Sequence, residues 1–472
     1  MKRVVILSIV LAFVASACGL KVPVSITSNS GTQTGDFTTQ PGADVPGGDT
    51  AGPDAVVPTG PAKDTKTDTP VDGVPTGPIS GLFESETEGV TKDQITLCVH
   101  VPITGAAPIA RHANRFGQFY FDYVNKELGG IHGRKVRFLA FDDQYYPAGA
   151  RAAAEKCARE GSFIYLGSAG TDQIVSVAKW AERKRVPYMH GPTSDKDMKG
   201  FKYNIFGGIT YEDQHRLLAD YLVKRYGKNK RYGMIRVNSP FFQAGHDAYV
   251  DQLKKHGVTL AVDREVQKDE QQFQDIYFEL NKPGAPVEIV NNFTTPNIWI
   301  RMLAQKPTGY NPTFTAVSPI AGYNLVAQAL KASESKAVVF HTFNPACNCT
   351  DYQADLDRTA PWYSDEQKFL EIFKKYSPEK TPRPDDFDYS AYLAAQGFER
   401  LLRALGPNPT RTGLFKLLQT YKEDPAKTFP ACGSDYSKEP GRRIGAHHVN
   451  IFELQNGKWK QDAKAGTCVK AA

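Results

Sequence analysis

A chain of 472 residues with 41% apolar and 23% charged residues has the composition of a folded soluble protein and the length for two or three domains. Its mean hydropathy of −0.41 excludes a multi-span membrane protein. A net charge of +6 falls short of the clustered basicity of a nucleic-acid binder.

At the start of the chain, Lys2 and Arg3 precede an apolar run over 4–14 and the small residues Ala15-Ser16-Ala17. This order describes a secretory signal, residues 1–17, too short for a comfortable membrane span. Cys18 follows the cut site directly and resembles the lipobox cysteine of bacterial lipoproteins, with Ala15 standing where Leu is usual. The expected location is outside the cytoplasm, anchored to the outer face of the bacterial cell membrane by a lipidated Cys18. Residues 18–88 are expected to form a disordered tether. Over 19–82 the sole aromatic is Phe37 among Gly, Pro, Thr, Ser and Asp, too little apolar surface to offset chain entropy. Three Lys stand against ten Asp or Glu over 19–90, so the tether is acidic and the remainder basic.

Of seven cysteines, six lie beyond Cys18: Cys98, Cys157, Cys347, Cys349, Cys432 and Cys468. An even number in an exported chain predicts disulfides, with fifteen pairings open. Cys98 with Cys157 is the preferred first pair, the four later cysteines pairing among themselves. Cys347-Asn348-Cys349 is tighter than a redox CxxC and has no histidine pair beside it, so no metal site is expected.

From residue 95 the pattern alternates between strands and helices. The spacing predicts strands over 95–101 and 136–141, with a helix between them through Phe116, Phe119, Tyr120, Tyr123, Val124 and Leu128 that Gly129-Gly130 stops. Pro147 opens a helix whose face is Ala153, Ala154, Cys157 and Ala158. Strands over 163–166 and 186–189 flank a helix over 172–183. After a break at Phe206-Gly207-Gly208 the rhythm restarts. Strands are expected over 232–237, 258–262, 287–291 and 313–317, and helices over 212–225, 243–256, 271–281 and 296–304. The region 341–390 is expected to loop over the surface before a helix over 389–405, and 448–454 to pair as a hairpin with 458–460 through Asn456-Gly457. Successive β-α units imply parallel sheets covered by helices, in two lobes with a cleft.

The signatures of common catalysts are missing: no nucleophile elbow, phosphate loop, His-Glu-x-x-His helix or dinucleotide fingerprint occurs. Asp142-Asp143 is expected to cap and anchor a loop, because neighbours at a strand end diverge. No enzyme, catalytic residue, cofactor or metal is expected.

Several stretches resemble the substrate-binding proteins of branched-chain amino acid ABC transporters. They are Ile95-Thr-Leu-Cys-Val-His-Val-Pro-Ile-Thr-Gly105; Gly129-Gly-Ile-His-Gly-Arg134 running into Phe141-Asp-Asp-Gln144 and Pro147; Gly167-Ser-Ala-Gly-Thr171; Ser239-Pro-Phe-Phe-Gln-Ala-Gly245; and Tyr389-Ser-Ala-Tyr392. The resemblance implies an α/β clamshell of two Rossmann-like lobes joined by a three-stranded hinge. The lobes would be 89–205 plus 341–428 and 206–340 plus 429–472, with crossings near Phe206, His341 and Pro430. It also implies capture of a small solute outside the membrane and delivery to a permease.

Ser168, with Ala169 and Thr171, lies where the family holds its ligand's carboxylate, and Thr193 and Ser194 occupy the next strand-end turn. Strand-end loops and helix N-termini offer hydroxyls and free N–H groups to an anion, although any one of these residues alone would serve as a helix cap. Phe241 stands for a usual Tyr, Phe293 for another pocket aromatic. Ser318 replaces the acid that pairs with the ligand's ammonium, and Glu212 is an acid that would substitute for it. The implied ligand is a branched-chain or other apolar amino acid, or a small carboxylate or amide without the ammonium. A ligand-sensing subunit and an extracytoplasmic enzyme are the alternative classes.

Overall fold

The computed structural model describes residues 82–105, 117–167, 170–317, 330, 336–341, 363–377, 384, 386–424, 428, 432–438, 443–455, 458–461 and 469–470. Cys18, Ser168, Ala169, Ser318, Cys347, Cys349, Cys468 and the Asn456-Gly457 turn lie outside the described residues, as do the signal and the tether through 81.

Five parallel strands form the first sheet: β1 (Gln94–Val101), β2 (Lys135–Asp142), β3 (Ile164–Gly167), β4 (Tyr188–His190) and β5 (Asn204–Phe206), in the order β2-β1-β3-β4-β5. β1 is buried at every position but its first, because helices cover both faces. Alternate side chains divide between two cores. Ile95, Leu97, Val99 and Val101 pack with α1 (Gln118–Glu127), while Cys98 packs with α2 (Pro147–Arg159) and α3 (Thr171–Lys184). A short α4 (Asp195–Met198) follows β4.

Among the described residues the second sheet has eight strands. β6 (Tyr232–Val237), β7 (Leu260–Val266), β8 (Ile289–Phe293), β9 (Thr313–Val317) and β10 (Lys336–His341) are parallel, in the order β10-β9-β8-β6-β7. β11 (His448–Gln455) adds antiparallel to β10, and β12 (Lys458–Gln461) and β13 (Val469–Lys470) pair antiparallel with β11. Helices α5 (Tyr211–Tyr226), α6 (Pro240–Lys255), α7 (Gln274–Leu280) and α8 (Pro296–Ala304) connect these strands, and the core joins residues from Ile209 through Ala337 to Ala446 through Leu454.

The region 341–390 is not only loop. β10 ends within it, and α9 (Tyr363–Tyr376) packs Phe369, Ile372, Phe373 and Tyr376 into the first lobe's core beside α10 (Asp386–Leu405) and α11 (Arg411–Leu418). Those four apolar residues keep helical spacing, which the surrounding Pro, Asp and Tyr obscured.

Two boundaries need correction. The tether does not run to residue 88: Phe83 is buried against Tyr203 and Phe415, and the Leu82 carbonyl accepts from Arg185 Nε and the Tyr203 hydroxyl at 2.8 Å each. One aromatic at the end of a polar stretch is enough to dock it. The last passage between lobes also lies beyond Pro430. Tyr436 and Ile444 pack in the first lobe's cores and Ala446 in the second's, and Ile444 bridges to Phe206 at the first passage.

Cys98 and Cys157 form a disulfide between β1 and α2, with Cα atoms 5.6 Å apart, and Cys432 is also disulfide-bonded. The first bridge closes a loop of 59 residues. Its loss in a Cys98→Ser, Cys157→Ser protein is expected to reduce the unfolding free energy by about 4 kcal/mol on chain-entropy grounds. Urea titration of the variant checks this, and an unchanged midpoint would refute it.

Candidate functional site

In a parallel α/β sheet the helix N-termini gather at the carboxyl ends of the strands, and the crevice there is the usual ligand site. Here that edge of the first lobe is made by the β3–α3 and β4–α4 connections, which carry Thr171, Thr193 and Ser194. The second lobe meets them at the start of α5. The Gly207 N–H donates to the His190 carbonyl at 2.8 Å and the Tyr211 N–H to the Thr193 carbonyl at 3.1 Å. Lys268, beyond β7, pairs with Asp172 on the first turn of α3.

The hydroxyls here are not spent on capping. Thr171 begins α3 behind Gly170, the N-cap residue. Ser194 is the N-cap of α4, yet its side chain makes no capping bond and instead donates to Glu212 Oε1 at 2.7 Å. Thr193 is fully buried and its Oγ1 has no hydrogen-bond partner among the described residues. A buried hydroxyl without a partner costs roughly 1–3 kcal/mol.

No sequence motif marks Glu212, at the start of α5. Its buried carboxylate accepts from Ser194 Oγ, from the Asp195 N–H at 3.2 Å and from the Lys196 N–H at 3.3 Å. It therefore anchors the Thr193-Ser194 turn to the second lobe and does not stand free for an ammonium.

An aromatic wall backs the site in the second lobe. Phe293, at the end of β8, is buried with its ring centre 5.2 Å from Tyr211, 4.2 Å from His215 and 4.7 Å from Phe242. A Cβ on Gly245 would lie 2.6 Å from the Phe293 ring, so only glycine lets α6 come this close. Phe241 falls in the first turn of α6, and the ring of Phe242 packs on Phe293.

Beneath the first lobe's edge lies a buried polar chain. His100 Nδ1 is 2.8 Å from Asp143 Oδ2, and His100 Nε2 is 2.7 Å from the Tyr188 hydroxyl. A Cβ on Gly167 would sit 2.1 Å from that hydroxyl, which fixes glycine at the end of β3. The Asp142-Asp143 pair diverges as expected. Asp142 accepts from the Ile103 and Thr104 N–H groups at 2.9 and 3.1 Å, tying the loop after β1, while Asp143 turns inward to His100.

Two other histidines are buried and neutral. Burial pushes His190 and His215 down to about 4, against their hydrogen bonds to the Gly191 and Tyr211 carbonyls. Because unfolded imidazole ionises near 6.5, the unfolded chain takes up these protons first. Stability is thus full above about pH 6.5 and falls as pH drops toward 4, by up to roughly 3 kcal/mol per histidine. Denaturation midpoints between pH 7 and 5 should fall, and less so in His190→Gln, His215→Gln protein. Equal pH slopes in the two proteins would contradict this assignment.

Among the described residues, no group of three or more His, Cys, Asp or Glu could hold a metal ion, and no helix is long and apolar enough to cross a membrane.

Two α/β lobes, each presenting strand ends and helix N-termini to the other, define a two-lobed binding protein. The sequence model of the periplasmic binding protein family matches residues 94–458, and the chain belongs to that family. Solved structures share the fold. An extracellular ligand-binding receptor from Verminephrobacter eiseniae is 16% identical, with a TM-score of 0.63 over 78% of this chain and 99% of that one. A branched chain amino acid ABC transporter from Thermus thermophilus with bound valine is 18% identical, TM-score 0.63, over 79% and 96%. A fatty acid ABC transporter substrate-binding protein from Thermomonospora curvata is 16% identical, TM-score 0.63, over 80% and 93%. Curated proteins yield no match.

Proposed function

We propose that this protein is the extracytoplasmic solute-binding component of an ABC importer, which captures a small apolar amino acid, carboxylate or amide between its lobes and hands it unchanged to a membrane permease. The observation that carries the reading is the buried Thr193 hydroxyl, without a partner among the described residues, on the carboxyl edge of the first sheet that also carries Thr171 at the N-terminus of α3. That arrangement suits a ligand's carboxylate or amide oxygen. The Phe293, Phe242 and Tyr211 wall suits an apolar body. Valine and a fatty acid, to which the Thermus and Thermomonospora proteins are linked, both join a carboxylate to such a body.

In this reading the first lobe is built from residues 82–205 and the segment carrying α9 to α11 as far as Ile444, and the second from 206–341 and the remainder. Cys18 carries the lipid, and the acidic stretch after it lifts the body from the membrane surface. The ligand docks on the first lobe, and the second closes over it about the three passages. The Asp172–Lys268 pair parts when the lobes open.

The test is a thermal-shift screen of the full chain against the twenty amino acids, their amides and C4–C8 carboxylates. A compound at about 100 times its Kd adds about 2.7 kcal/mol, a shift of several degrees. Recovery of the same compound after denaturation separates binding from turnover. No response to any compound would overturn the proposal, and a converted compound would make the protein an enzyme.

A further inference from the structure

The connection between β2 and α2 carries a feature that the proposed binding role has not used. Gln144 and Tyr145 take φ angles of 54° and 57°, so two successive residues with side chains occupy the left-handed region. That backbone is unfavourable for bulky L-residues and persists only where the surroundings enforce it. The enforcement is visible. The Gln144 N–H donates to Asp142 Oδ1 and the Tyr145 N–H to Asp143 Oδ1, each at 2.9 Å. Asp143 is in turn fixed by His100, and His100 by Tyr188. The loop after β1 lies against this turn so closely that a Cβ on Gly105 would fall 2.0 Å from the Gln144 carbonyl oxygen.

What the turn presents is the Tyr145 side chain. It is half-buried, while the next residue, Tyr146, is exposed. Burial, then Tyr211, Asp172 and Asp143, hold the Tyr145 phenol well above its usual ionisation range, which keeps it a neutral donor. Asp172 pairs with Lys268 of the second lobe, and the Tyr211 N–H donates to the Thr193 carbonyl at 3.1 Å. Tyr145 stands on the β2–α2 connection, at the carboxyl edge of the first sheet where the crevice lies, on a backbone held by the buried Tyr188–His100–Asp143 chain. A hydrophobic packing role would not require a left-handed backbone.

We propose that Tyr145 is a ligand-contacting residue, whose phenol hydrogen-bonds the polar head of the captured solute, and that Asp143 and His100 are positioning residues for it. The inference rests on the proposed binding role. It adds a contact from a segment that no sequence resemblance marked as part of the site.

The test compares full-length wild type with Tyr145→Phe, Tyr145→Gly and the neighbouring control Tyr146→Phe. Calorimetric titration uses L-leucine, L-valine, 4-methylpentanoate and 4-methylpentanamide, plus any compound from the thermal-shift screen that the wild type binds. Loss of one hydrogen bond predicts about tenfold weaker binding in Tyr145→Phe. Tyr145→Gly should bind at least as weakly while its ligand-free melting temperature holds or rises, because glycine accepts the left-handed backbone freely. Tyr146→Phe should bind as the wild type does. Unchanged affinity in Tyr145→Phe would overturn the inference, with or without a lower melting temperature in Tyr145→Gly. Silence of the wild type toward every compound would overturn the binding role and this inference together, whereas wild-type binding that the Tyr145 variants keep would overturn the inference alone.

Discussion

Arg411→Ala is expected to lower the unfolding free energy by at least about 3 kcal/mol, read from the urea midpoint of the full chain. Arg411 is 1% exposed, on the first turn of α11, where a cation is disfavoured by the helix dipole. It is there for its fork of donors. Nε donates to the Phe163 carbonyl at 3.2 Å, one terminal nitrogen to the Ser85 carbonyl at 3.1 Å, and the other to the Ser162 carbonyl at 2.7 Å and the Glu88 carboxylate at 2.9 Å. One side chain thus joins the start of the folded body, the first sheet and α11. Removing it strands buried carbonyls and leaves a cavity. Arg411→Lys should recover little, since a point charge cannot serve four acceptors in one plane. A loss under about 1 kcal/mol would show that these carbonyls find water or other donors.

Glu212→Ala should act on both stability and binding. Its carboxylate is the acceptor for Ser194 Oγ and for the first two N–H groups of α4, all inside the junction of the lobes. Their loss is expected to cost about 2–3 kcal/mol, because the donors stay buried without a partner. The larger consequence is for the turn that holds Thr193 and Ser194. Freed from its anchor, that turn no longer presents the Thr193 hydroxyl in one place, and the affinity for any ligand found by thermal shift should fall about tenfold. Glu212→Gln keeps one acceptor oxygen and should fall between the two. Wild-type affinity in Glu212→Ala would remove the Thr193-Ser194 turn from the binding site.

Much of the fold was legible because burial on both faces of a sheet leaves a local record. The run from Gln94 to Val101 and its partner from Lys135 to Asp142, separated by an amphipathic helix that ends at two glycines, read as β-α-β in the linear chain. β5, β10 and α9 were not read. β5 has three residues, too few for a pattern, and the other two lie next to stretches whose Pro and Asp content suggested loop. The docking of Leu82 and Phe83 was equally invisible, since its partners Tyr203 and Phe415 are supplied by distant segments.

The candidate site divides the same way. Thr171, Thr193 and Ser194 were accessible through the family resemblance, which points to these strand-end turns, and a polar residue after a buried strand stands at the crevice edge of a parallel sheet. What each of them does there depends on residues far along the chain. Ser194 could have been a helix cap, and Glu212 on the other lobe makes it a tie. Asp172 could have been a first-turn acid serving the α3 dipole, but Lys268, 96 residues later, turns it into half of a contact between lobes.

The sequence by itself determined the two-lobed α/β architecture, the Cys98–Cys157 pairing as a preference and the strand-end hydroxyls, all of which follow from periodicity, chain order and motifs local to a few tens of residues. The tertiary structure alone decided which hydroxyl is left without a partner among the described residues, which acid is consumed in anchoring, and which tyrosine is held in a left-handed turn. Those outcomes depend on hydrogen-bond partners and close approaches between segments with no fixed spacing in the chain, and such pairings exist only once the lobes have packed.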